Sequence, residues 1–154
     1  MTENTLQLIS GLKILLLAGF AMLYGMGGMS GKYKRRVIAP VVLTAGIIGF
    51  SLWTGSFTLW YLLCVPLLFG SLSLGYGATD LKDKLIKRSR YGLACALATL
   101  PIFVVQQAWS LLLLHILICV SVSTIAGTWN QTPSARAEET LIGASIALVP
   151  LFTI

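Results

Sequence analysis

The amino-acid sequence predicts an all-α fold, a polytopic transmembrane helix bundle of about six spans, on three observations. Apolar residues make up 56% of the chain and its mean hydropathy is +0.87, values suited to lipid rather than water. Charged residues are only 10% of the chain, and ten of the eleven Lys and Arg side chains fall in short tracts between apolar runs. The tracts also echo one another, because Tyr24-Gly25, Tyr76-Gly77 and Trp129-Asn130 close apolar runs at a spacing of 52 or 53 residues. Lys32, Arg35 and Arg36 likewise stand 52 residues before Lys84, Lys87 and Arg88. An aromatic followed by a residue that tolerates left-handed backbone is a natural helix stop at a membrane surface. The spacing predicts one integral membrane domain, 1–154, made of helical hairpins 1–54, 55–107 and 108–154.

The first run, 6–24, can extend toward Met29 before Gly25, Gly27, Gly28 and Gly31 open a loop into Lys32-Tyr33-Lys34-Arg35-Arg36. The second run, 37–53, stops at Thr54-Gly55-Ser56, and an uncharged turn leads to the third, 57–75. In the second basic tract, 80–90, Thr79 or Asp80 caps a helix with Leu81, Leu85 and Ile86 on one side and lysines on the other. That pattern suits a helix lying along lipid headgroups. The fourth run is 91–105, Gln106-Gln107 makes the next turn, and the fifth run, 109–129, has the length of a full span. Residues 130–139 form a polar loop with Thr132-Pro133 as a helix start, and the last run, 141–154, is short for a span.

Basic loops on alternate turns fix orientation, since Lys and Arg are retained on the cytoplasmic side. Both termini are then expected outside if all six runs cross. Lys13 is the exception, about two turns into the first run. Snorkelling outward is the expected solution; a polar interior or a deeper helix start are the alternatives. The tract 1–10 carries Glu3 and no basic residue, unlike the charged start of a cleaved signal peptide, so the first span is expected to be retained. Cys64, Cys95 and Cys119 sit inside apolar runs without CxxC spacing and read as reduced packing residues, with no metal site and no cofactor expected.

Three groups of residues are candidates for contact or chemistry. Lys32, Arg35, Arg36, Lys84, Arg88 and Arg90 form a basic face suited to anionic headgroups or a phosphate-bearing ligand; topology alone also explains them. Tyr76, Asp80, Asn130, Glu138 and Glu139 form a polar rim among those bases, and the two glutamates equally suit the first turn of the last helix. His115, with Gln106 and Gln107, makes a candidate intramembrane polar site, in which a lone imidazole either hydrogen-bonds a neighbouring helix or relays protons. Small residues at packing intervals, Ala45 and Gly49, Ser71 and Gly75, Ala94 and Ala98, and Ser123 and Gly127, predict close helix contacts, within the bundle or between copies. Pro40, Pro66, Pro101 and Pro150 are expected to kink helices.

No HExxH, GxSxG or P-loop motif occurs in the chain, which weakens enzyme readings. The tracts Gly27-Gly28-Met29-Ser30-Gly31-Lys32-Tyr33-Lys34-Arg35-Arg36, Gly75-Tyr76-Gly77 and Ala135-Arg136-Ala137-Glu138-Glu139-Thr140-Leu141-Ile142-Gly143 resemble those of uncharacterised small polytopic membrane proteins of tailed bacteriophages. The resemblance implies a bacterial inner membrane and brings no functional residue with it. The expected function is that of a non-enzymatic inner-membrane protein acting through helix packing and a basic cytoplasmic face, as an oligomer or a partner-binding subunit. Membrane lipids with anionic headgroups are the expected partners; nucleic acid is not, because basic loops between spans explain the net charge of +6. The alternatives are a small channel, transporter or holin-like permeability protein, and a lipid-active membrane enzyme working through Asp80, Glu138 or Glu139.

Overall fold

The computed structural model describes residues 1–29, 33–74, 84–128 and 135–154, with side chains omitted at 27–29, 33–36, 73, 74, 84, 127, 128, 135 and 136. Among the described residues the fold is all helical. Helices α1 (Glu3–Met29) and α2 (Tyr33–Thr54) are followed by a 3-10 helix (Leu59–Leu63) that runs straight into α3 (Cys64–Leu74). Then come α4 (Lys84–Leu97), the short α5 (Leu100–Val105), α6 (Trp109–Thr128) and α7 (Ala135–Thr153).

The helices close a ring in chain order. α1 packs on α2, α2 on α3, α3 on α4, α4 on α6, α6 on α7, and α7 returns to α1 in the most extensive contact of the molecule. Side-chain register shows α1 and α7 to be antiparallel: Lys13 meets Phe152 and Ile154, whereas Ala21 and Tyr24 meet Gly143. α4 and α6 are antiparallel as well, with Arg88 beside Ser123 and Gly92 beside Cys119.

Which side chains face inward identifies the solvent. Along α6 the buried positions are Leu112, His115, Cys119, Ser123 and Ala126, spaced at three and four residues, while Leu113 (69% exposed) and Leu117 (64%) face out. On α1, Leu8, Leu12, Leu15, Met22 and Met26 are exposed in the same way. An apolar exterior of leucines and methionines around an interior that is also mainly apolar does not fit a soluble bundle and matches one whose surroundings are hydrocarbon.

Among the described residues three segments are long and apolar enough to cross a bilayer, Glu3–Met26, Val37–Thr54 and Trp109–Ala126, rather than the five full spans expected. The others fall short for identifiable reasons. α4 carries Lys84, Lys87, Arg88 and Arg90 in its first two turns, and the described part of the third run, the 3-10 helix and α3, covers Leu59 to Leu74. α7 has the length, at 19 residues, but includes Arg136, Glu138 and Glu139. It begins at Ala135, six residues before the expected start of the last run, because an acidic first turn favours a helix N-terminus. Residues 84–90 do not form a separate surface helix; they continue into α4 without interruption. Nor does Tyr24-Gly25 stop α1, which runs on to Met29, while Tyr76-Gly77 and Trp129-Asn130 lie outside the described residues.

Two uncharged turns are built alike. After α2, Ser56 N–H bonds to the Ser51 carbonyl (2.8 Å) and Gly55 N–H to Leu52 (3.2 Å), with Gly55 at φ 73°. After α5, Ala108 N–H bonds to Phe103 (2.9 Å) and Gln107 N–H to Val104 (3.2 Å), with Gln107 at φ 51°. Both are Schellman caps, in which a left-handed residue turns the chain so that the last carbonyls are satisfied.

Close helix approach occurs at three glycines outside the expected small-residue pairs. A Cβ on Gly92 would stand 2.6 Å from the Cys119 carbonyl oxygen and 2.9 Å from the Val120 Cα. One on Gly143 would stand 3.0 Å from the Tyr24 Cβ, and one on Gly46 would strike the Leu16 side chain. Gly49, by contrast, has open space around it, and Ala45 is exposed, so that pair faces away from the bundle.

Candidate functional site

The fourth run is broken at Ala98-Thr99, where α4 ends and α5 begins. Pro101 at the start of α5 explains the break, since it has no N–H to offer the preceding turn. Thr99 sits in the break, fully buried, and its hydroxyl donates to the Ala96 carbonyl at 3.1 Å.

His115 of α6 fills the notch this leaves. It is fully buried, with Nε2 3.1 Å from Thr99 Oγ1 and its ring stacked on Phe103 at a centroid distance of 5.3 Å. Because the one Thr99 hydroxyl proton goes to Ala96, Nε2 carries the proton in the shared bond, and Nδ1 faces Cys119 Sγ at 3.7 Å. The single proton of the Cys119 thiol has two acceptors in reach, Nδ1 and the Ser145 carbonyl of α7 at 3.5 Å. A chain of polar contacts therefore crosses from the helix break through α6 to α7. In apolar surroundings such a chain fixes the rotation of the helices, because each polar group left alone would be costly.

Gln106 and Gln107 do not join His115. Gln106 Nε2 donates to the Tyr61 hydroxyl at 2.8 Å, tying the end of α5 to the 3-10 helix, and Gln107 is exposed in the turn. Beside that tie lies a wholly apolar groove of about 260 Å³, lined by Trp60, Leu63, Leu100, Pro101, Val104 and Val105.

Lys13 does not snorkel to the surface. It is 7% exposed, its Nζ donates to the Ile154 backbone oxygen, and the rings of Phe50 and Phe152 lie 5.8 and 5.9 Å away. The sequence alone could not place the end of α7 beside α1. Once it is there, two aromatic faces and a carbonyl offer the ammonium a shorter solution than the long reach to water.

On the opposite end, Arg88 and Lys87 are half-buried and Arg90 is exposed on α4, and Glu138 and Glu139 lie half-buried in the first turns of α7. Of the remaining basic and rim candidates, Lys32, Tyr76, Asp80 and Asn130 lie outside the described residues, as do the side chains of Arg35, Arg36 and Lys84. Among the described residues no group of three His, Cys, Asp or Glu side chains is placed to hold a metal, and the three cysteines are free and buried.

Thr99, Cys119 and Ser145 were not among the candidates read from the sequence. One signal for them was present: His115, Cys119 and Ser123 recur every four residues on an otherwise leucine-rich helix, which marks its inward face. Comparison of the chain with protein-family models, with curated proteins and with solved structures gives no match.

Proposed function

We propose that the protein is a six-span integral membrane protein of a bacterial inner membrane, with its basic loops cytoplasmic and both termini outside. In this reading it performs no chemistry and works through helix packing and a basic face, as an oligomer or a partner-binding subunit. The observation that carries it is the closure of the polar interior: His115, Thr99, Cys119 and Ser145 are spent on one another and on backbone carbonyls. Polar groups that hold helices together at the break are not free there for a substrate. Three repeated hairpins are supported by the two Schellman turns, whose left-handed residues Gly55 and Gln107 stand at the same 52-residue spacing as the basic tracts.

The test is reconstitution in liposomes of defined lipid, with ion leakage and oligomeric mass measured together. Tight vesicles and a defined oligomer are the expected result; specific, saturable leakage would overturn the reading. One observation favours a channel or transporter instead, namely the helix broken in mid-span beside an ionisable side chain, a construction that transporters use to bind ions. That alternative requires flux that disappears in His115→Ala.

A further inference from the structure

Polar groups inside the bundle are, as a rule, paired. Hydroxyls fold back on their own helices, Thr44 on Pro40 (2.7 Å), Ser71 on Leu68 (2.9 Å) and Ser145 on Ile142 (2.7 Å) among them. At the basic end of these two packed helices Arg88 and Tyr91 of α4 and Thr124 of α6 depart from this rule. Arg88 is half-buried, and its Nε is covered by protein atoms yet has no hydrogen-bond partner. Tyr91, one turn further along the same face of α4, is 4% exposed and its hydroxyl is likewise buried and unpaired. Across the seam Ser123 donates to the Arg88 carbonyl at 2.8 Å, and the hydroxyl of the next residue, Thr124, is also without a partner. A buried donor left unpaired costs about 1–3 kcal/mol, so three at the charged end of two packed helices call for a missing acceptor.

We propose that Arg88, Tyr91 and Thr124 form a binding site for a phosphate group, supplied by the headgroup of an anionic membrane lipid. This rests on the basic-face reading above and narrows it from general attraction to recognition by particular atoms. The edge of a guanidinium, Nε with one Nη, matches two phosphate oxygens, and the two hydroxyls serve the others. A change of Arg88 rotamer opens the seam to the ligand, which its half-exposed position allows. Lys87 and Arg90 raise the local concentration of anions, while Leu85 and Ile86, each 55% exposed, offer apolar surface for the acyl chains.

The experiment compares retention of phosphatidylglycerol with that of phosphatidylcholine by native mass spectrometry of the whole protein. The variants are Arg88→Gln, Tyr91→Phe and Arg90→Gln, of which Tyr91→Phe removes one oxygen and leaves packing intact. The expected result is a preference for phosphatidylglycerol that falls about tenfold in Arg88→Gln and severalfold in Tyr91→Phe, and stays within about twofold in Arg90→Gln. Equal losses in Arg88→Gln and Arg90→Gln with none in Tyr91→Phe would overturn the site and leave the basic face standing. No preference in the unaltered protein would overturn both. Inorganic phosphate added in a separate arm distinguishes the source of the group: failure to displace the lipid assigns the site to headgroups, and displacement that Tyr91→Phe abolishes assigns the same three residues to soluble phosphates.

Discussion

Gln107 holds a left-handed backbone, φ 51°, where the corresponding turn after α2 uses Gly55. Its side chain is exposed, so the strain of a Cβ in that region is not offset by packing. Gln107→Gly should therefore raise stability by about 1 kcal/mol, measured as a higher thermal midpoint in detergent. At Thr99 the opposite holds, since the hydroxyl serves both Ala96 and His115. Thr99→Val keeps the shape and strands the buried Nε2 proton, so a loss of about 1–3 kcal/mol is expected, with Thr99→Ser close to the parent. Equal stability of the valine and serine variants would show that the histidine finds another partner.

The pairing of α4 with α6 depends on a glycine that lets two backbones meet. Because the groups facing Gly92 are a carbonyl oxygen and a Cα, neither can rotate away, and Gly92→Ala must separate the helices. The expected loss is about 1–3 kcal/mol, against a neutral effect or a gain of up to about 1 kcal/mol for Gly49→Ala, which meets nothing. Thermal unfolding of the two variants side by side checks the contrast. The helices themselves were largely legible in the sequence, because apolar runs and Gly or Gln-Gln turns mark their limits. The sequence reads 80–90 as a helix along the headgroups and Thr132-Pro133 as a helix start, with the apolar runs beginning only at 91 and 141. Lys, Arg and Glu are good helix formers, and acidic residues favour a first turn, so the helices extend through them to Lys84 and Ala135. The break at Ala98-Thr99 was foreshadowed by Pro101 but not located, because a proline in a run reads equally as a kink or a turn.

For the whole molecule, the decisive issue is which turns share a side of the membrane. If all six segments cross, single cysteines at Ser56 and Gln107, in a background with Cys64, Cys95 and Cys119 replaced by Ala, should react with an impermeant thiol reagent added outside cells. A cysteine at Thr132 should remain protected. Protection of Ser56 or Gln107 alone would show that a segment between them does not cross. His115 could be picked from the sequence as the lone imidazole in a leucine-rich run, whereas its partners, 16 residues before it on the broken helix and 4 after it, become visible only with helix rotation fixed. Lys13 escaped for the related reason that its partners come from the far end of the chain.

That far-end contact bears on how the molecule is made. α1 leaves the ribosome well before its broadest partner, α7. Until α7 arrives, Lys13 lacks Phe152 and Ile154, and the faces of Ala21 and Tyr24 that meet Gly143 stand open. The ring can close only once α7 has been made, so until then a nascent chain carries Lys13 in α1 without these partners.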